Sequence, residues 1–306
     1  MKIFILSPNV HTYFNDKQLE QIGEVGDLIV DTEIKPILQV KDILSEETKI
    51  IAVDPDFCNW KVENEVLDKI PNLKAVVLQS TSFSWIDINY AKNKGIPVVN
   101  LRGFSTIAVA EWATMMALAV ARKLPIIIKD GWKQDFSKHQ GIELKGKIAG
   151  VIGLGRIGTA IAENCAGLGM QVQYWSKKSK DERFEFVDLG KLMSGSDVIF
   201  PATTQNEETQ GLITNEMLKN MKKSAIFVSI VHRVYDHDFL LEMVKKGDLY
   251  GYAFEETNPN IAKYQGNIWA GPELAWCTED SLRKNAEQWT DAIIRATRGE
   301  YPTRVN

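Results

Sequence analysis

A chain of 306 residues with 44% hydrophobic and 25% charged side chains is long enough to bury one large or two ordinary cores and has the balance of a soluble globular protein. Its 36 basic and 40 acidic residues leave a net charge of -4, so no basic field is available to make nucleic acid or an anionic membrane a general partner. Cys58, Cys165 and Cys277 stand outside any CxxC spacing, which points to a reducing, cytoplasmic setting, and the four histidines lack the spacing of a zinc site, so no metal is expected.

In chain order, the opening MKIFILSPNV carries too short an apolar run for a signal peptide and reads as a strand. After KIFIL come KIIAV, KAVVL, IPVVN, KIAGVIGL, MQVQYW, DVIF, AIFVS and YGYAF, each followed by an amphipathic stretch. This rhythm predicts parallel strands joined by helices, and runs apolar throughout predict strands covered on both faces. There are too many for one sheet. The pattern predicts an α/β protein of two doubly wound parallel-sheet domains, Rossmann- or flavodoxin-like, joined near GIPVVNLRGFS, where Gly95, Pro97 and Gly103 interrupt it. No segment approaches the roughly 18 apolar residues of a membrane helix.

From Ser105, STIAVAEWATMMALAVARK is apolar nearly all round, as in a helix buried between domains or also in a subunit interface. The last stretch, TEDSLRKNAEQWTDAIIRATRGE, offers Thr278 as N-cap, an acidic pair in the first turn and a stop at Gly299; it is expected to pack back on the first domain.

Between them lies VIGLGRIGTAIA, with Gly153, Gly155 and Gly158 in GxGxxG spacing, after an apolar run and at the start of a helix expected from Arg156 to Leu168. In that context the spacing is a dinucleotide fingerprint. Gly153 permits a tight turn, Gly155 lets backbone approach a pyrophosphate, and Gly158 lets helix pack on strand. The helix start at Arg156 and Ile157 then offers N–H groups to the anion. The next strand ends at Trp175 and is followed by Ser176, Lys177 and Lys178. A carboxylate there would accept hydrogen bonds from the ribose hydroxyls of NAD; a hydroxyl with two ammonium groups suits a 2′-phosphate, so NADP(H) is favoured and NAD(H) is the alternative.

SWIDINYAKNKGIPVVN, VAEWATMMALAVAR, VIGLGRIGTAIA, EETQGLIT, LYGYAFEE and GNIWAGPELAWCTED together resemble, in order and over almost the whole length, the D-2-hydroxyacid dehydrogenase family. The resemblance implies a substrate domain of residues 1–100 with 280–306, a dinucleotide-binding domain of 101–279, a homodimer, and hydride exchange between nicotinamide and a small 2-oxo or 2-hydroxy acid. It implies cofactor contacts at Thr203, Thr209, Val231 and Glu255, and a substrate loop at Ser80, Thr81 and Ser82.

The chain departs from the family at its catalytic trio. Val231 falls where the family has an arginine that holds the substrate, Glu273 after Pro272 where it has a histidine, and Asn260, or Asn258 by the alternative match, where it has a glutamate. A two-residue slip would bring Arg233 into the arginine role beside His232 as a proton donor. Glu273, if buried, would have a raised pKa and could act as acid or base, or it could bind a cationic group and turn the site toward an amine or imine. Trp276 would crowd the same cavity. The leading expectation is an oxidoreductase with a non-standard site. The alternatives are a cofactor-binding sensor or corepressor-like protein without turnover, and a non-redox lyase or epimerase.

Overall fold

The nine apolar runs become strands of two all-parallel sheets. The structure, a computed structural model, describes residues 1–204, 208–231 and 234–306. It divides into two units, Met1–Ser105 with Thr278–Asn306, and Thr106–Cys277.

The first unit holds β1 (Lys2–Leu6), β2 (Asp27–Asp31), β3 (Lys49–Val53), β4 (Leu73–Leu78) and β5 (Val98–Val99) in the order β2-β1-β3-β4-β5. Central β3 is buried at every position, as a parallel strand covered on both faces must be. Even Lys49 within it is enclosed, its Nζ donating to the carbonyls of Glu47 at 2.7 Å and Pro71 at 3.0 Å. Edge strand β2 is only partly covered. The helix Glu279–Thr297 belongs to this unit. Thr278 caps it as expected: its Oγ1 accepts from Ser281 N, and Ser281 Oγ accepts from Thr278 N, both at 3.1 Å. Its Trp289 is fully buried and stacks on Phe14 with ring centres 4.8 Å apart. The tail then returns along β5, where Val305 N donates to Val98 O at 2.9 Å and closes an otherwise open sheet edge.

The second unit holds β6 (Ile148–Ile152), β7 (Gln171–Trp175), β8 (Glu185–Phe186), β9 (Val198–Pro201), β10 (Ile226–Val228), β11 (Gly251–Glu255) and β12 (Ile268–Gly271) in the order β12-β11-β10-β9-β6-β7-β8. The chain reverses its direction of winding between β6 and β9, and in open parallel sheets ligands bind at the carboxyl ends of strands beside such a reversal. The apolar helix spans Thr106–Ala121 and buries Ala110, Ala113, Met116, Ala117 and Val120 in this unit's core. Ile107 and Leu118 on it remain 51% and 38% exposed. No helix among the described residues is long and apolar enough to cross a membrane.

Candidate active site

The turn after β6 is a matter of sterics. Gly153 has φ +96°, and a Cβ on it would lie 2.9 Å from Ala202 O and 2.9 Å from Thr203 Cγ2; only glycine takes this conformation in this space. A Cβ on Gly158 would lie 1.9 Å from Gly153 O, whereas one on Gly155 would meet nothing within 4 Å. Gly158 therefore seats the helix on the turn, and Gly155 borders open space. Gly155 is also the N-cap of the helix Arg156–Gly167 and has no side chain to cap it. The first N–H groups of a twelve-residue helix, at Arg156 and Ile157, thus have no side-chain cap, which fits the pyrophosphate of a dinucleotide. The neighbouring Thr203 Oγ1 is buried and has no hydrogen-bond partner among the described residues. The Thr209 hydroxyl donates to Thr204 O at 2.6 Å.

At the end of β7, Ser176 Oγ accepts from Ser179 N at 3.1 Å. Lys177 Nζ lies 3.4 Å from Glu208 Oε2, both side chains being exposed, and Lys178 is exposed. Residues 176–180 of this loop bear two hydroxyls and three ammonium groups, and the charge of Lys177 is shared with Glu208.

The carboxyl ends of β10, β11 and β12 carry the remaining second-unit candidates. After β10, Ser229 Oγ donates to Val231 O at 2.6 Å and accepts from Val231 N at 3.3 Å, so half-buried Val231 is held by a serine turn. His232 and Arg233 lie outside the described residues. A polar chain links buried Tyr235 OH to buried Tyr252 OH at 2.7 Å and Tyr252 OH to half-buried His237 Nδ1 at 2.8 Å. Nothing in the sequence pattern announces it.

Glu255 ends β11, paired in register with Gly271 of β12. Its Oε1 accepts from Ala275 N at 3.0 Å. Burial pushes its carboxyl above the ordinary value; the N–H groups of Ala275 and Leu274 oppose this and the charge of Glu273 adds to it. Glu273 itself is exposed, and Thr257 Oγ1 donates to its Oε2 at 3.2 Å. The burial anticipated at Glu273 is found in part at half-buried Glu255, whose carboxylate is reached by the 272–277 turn through Ala275 N. Leu274 N donates to Pro272 O and Cys277 N to Leu274 O, closing the turn with Trp276 half-buried in it. Asn260 Oδ1 caps the short helix Ile261–Lys263 through Ala262 N at 3.1 Å, and Asn258 is exposed.

In the first unit, the loop after β4 is held by an indole: Trp85 Nε1 donates to Ser80 Oγ at 3.2 Å and to Ser82 O at 2.9 Å. Ser80 Oγ donates to Ser82 O at 2.6 Å, and Thr81 O accepts from Asn100 Nδ2 at 2.7 Å. Thr81 and Ser82 are exposed.

Residues 114–276 match the family model described as "D-isomer specific 2-hydroxyacid dehydrogenase, NAD binding domain". The chain belongs to the D-2-hydroxyacid dehydrogenase family. Among its relatives, a glyoxylate reductase of Thermofilum pendens is 33% identical over 262 residues, covering 79% of this chain and 77% of the relative. A D-3-phosphoglycerate dehydrogenase of Archaeoglobus fulgidus is 33% identical over 314 residues, covering 98% of this chain and 58% of the relative. The solved structure of an acyclic imino acid reductase in complex with NADPH and D-Arg has the same fold, with a TM-score of 0.85 at 24% identity and complete coverage of both chains. Membership in this dehydrogenase family supports an oxidoreductase that uses a nicotinamide dinucleotide.

Proposed function

We propose that the chain is an NAD(P)-dependent oxidoreductase that exchanges hydride with a small 2-oxo acid, or with the imine such an acid forms with an amine, and that NADP(H) is its preferred cofactor. In this reading the unit built on β1–β5 carries the substrate loop and the unit built on β6–β12 carries the dinucleotide, with Gly153, Gly155, Arg156, Ile157 and Gly158 at the pyrophosphate. Ser176, Lys177 and Lys178 meet the 2′-phosphate. The nicotinamide supplies or takes up the hydride, and the proton falls to side chains.

The observation that carries the reading is the pair of carboxylates at the ends of β11 and β12. Glu273 is exposed and bonded by Thr257, and half-buried Glu255 is close enough for the charge of Glu273 to act on it. Two neighbouring carboxylates favour a cationic partner over a neutral carbonyl, which turns the substrate toward a protonated imine, and an exposed Glu273 can hold or release the proton at its nitrogen. His232 is the other candidate for the proton role and Arg233 a candidate for holding the substrate; Ser80, Thr81, Ser82 and Trp276 are the candidate substrate-lining residues. Exposed Ile107 and Leu118, with Trp132 67% and Phe136 89% exposed on a nearby loop, support a homodimer.

Steady-state oxidation of NADPH with 2-oxo acids, in the presence and absence of methylamine, tests the reading. Turnover that requires the amine is expected, and Glu273→Gln should lower kcat about 100-fold with NADPH affinity unchanged. Val231 at the family's arginine position favours one other reading, a cofactor-binding protein without turnover. Uptake of NADPH with no oxidation by any substrate would establish that reading and overturn the first.

A further inference from the structure

The resemblance sets Val231 where the family holds its substrate with an arginine, and an isopropyl group cannot bind a carboxylate. We propose that Arg102, in the first unit, is the residue that binds the substrate carboxylate, assisted by the hydroxyl-bearing loop Ser80–Ser84; the proposal rests on the oxidoreductase reading above.

Strands β4 and β5 are parallel neighbours, so the loops leaving their carboxyl ends, Ser80–Ser84 and Asn100–Gly103, are adjacent. Asn100 brackets the two. It is 2% exposed, its Nδ2 donates to Thr81 O at 2.7 Å, and its Oδ1 accepts from Arg102 Nε at 3.3 Å. The Thr303 hydroxyl donates to its carbonyl, which fixes the bracket from the opposite side.

An ordinary surface arginine must give up rotamer freedom before it can hold a ligand. Arg102 is exposed, yet its guanidinium is already fastened at Nε to a buried side chain that also fastens the substrate loop. Among the described residues Arg102 makes no ion pair, and its terminal nitrogens, the pair that grips a carboxylate side-on, have no protein partner. A planar fork held by its third nitrogen suits a carboxylate bidentately, and a lysine could not reproduce it. Hydroxyls complete the setting: Thr81 and Ser82 are exposed, and Ser82 Oγ and Ser84 Oγ are 3.4 Å apart. The geometry selects ligands that carry a carboxylate.

Calorimetric titration of oxalate, a dicarboxylate mimic of a 2-oxo acid, into the full chain in the presence of NADPH tests the assignment. The wild type is expected to bind, and Arg102→Ala to bind about 10- to 100-fold more weakly, the worth of a charged hydrogen-bond pair. Arg102→Lys should fall between them, and NADPH affinity and the melting temperature should be the same in all three. Equal oxalate affinity in the wild type and Arg102→Ala overturns the proposal, as does a wild type that takes up NADPH but no oxalate. NADPH turnover judges the oxidoreductase reading separately: it can fail while Arg102-dependent oxalate binding stands, and it can succeed with an Arg102→Ala variant whose KM for the oxo acid is unchanged.

Discussion

The turns after β6 and after β12 are built by opposite means. The first is made of backbone: Gly153 at φ +96° and a Gly158 whose missing Cβ leaves 1.9 Å to Gly153 O. The second is made of side chains reaching across: Glu255 accepting from Ala275 N and Thr257 donating to Glu273. A turn held by the absence of atoms tolerates no addition, whereas a turn held by hydrogen bonds tolerates any residue that restores the acceptor. The comparison also separates the two kinds of chemistry the family needs. Phosphate binding demands a rigid cradle of N–H groups, and proton transfer demands a side chain whose environment can be varied.

The largest effect that can break this contrast is expected at Gly158. Gly158→Ala drives a methyl group into the Gly153 carbonyl and should cost about 3 kcal/mol of stability together with detectable NADPH binding, read by chemical denaturation and calorimetry. Gly155→Ala, whose Cβ meets nothing within 4 Å, should leave stability within about 0.5 kcal/mol and still weaken NADPH about 10-fold, because the added methyl occupies the space through which a pyrophosphate approaches. Equal stability losses in the two variants would show that the turn is not sterically specified. Next in size, Ser176→Asp should move the ratio of NADPH to NADH affinity about 10-fold toward NADH, roughly 1.4 kcal/mol of repulsion against a 2′-phosphate. A ratio that does not move would remove Ser176 and its lysines from cofactor selection.

The same contrast explains what was legible beforehand. Steric demands leave their mark as residue types, so the strands apolar throughout, the glycine turn and the capped C-terminal helix could all be found from spacing. β2 escaped because Asp27 and Asp31 bound only three apolar residues, and β8 because two exposed residues, Glu185 and Phe186, make no pattern at all. Hydrogen-bonded devices leave no such mark. Thr257 meets Glu273 sixteen residues away, Glu255 meets Ala275 twenty away, and Asn100 joins Thr81 to Arg102 over nineteen and two. Glu273 was found only by matching a proline and its follower to the family, and the burial expected there is found in part at half-buried Glu255, because coverage depends on how the turn folds back.

The smallest expected effect sharpens the contrast most, since it asks whether Glu255 holds its turn as an ion or as an acceptor. Burial, with Glu273's charge, lifts the Glu255 carboxyl above its ordinary value despite the N–H groups that favour the ionised form. A carboxyl with a higher pKa folded than unfolded binds more proton in the folded chain, so stability falls as pH rises from the ordinary carboxylate value through the raised one. Above that window the ionised group costs stability, and below it the cost is gone. Glu255→Gln keeps an oxygen for Ala275 N–H and cannot ionise. At about pH 8 it should therefore melt no lower than the wild type, with any advantage shrinking as the pH falls through the raised value and gone below the ordinary carboxylate value. Glu255→Ala removes the acceptor and should lose about 1 kcal/mol in acid, and less at about pH 8, where the wild type carries the cost of the charge. If Glu255→Gln instead melts below the wild type at high pH and recovers in acid, the negative charge is what fastens the turn, and the two turns of the second unit differ in their electrostatics rather than in the kind of atom that shapes them.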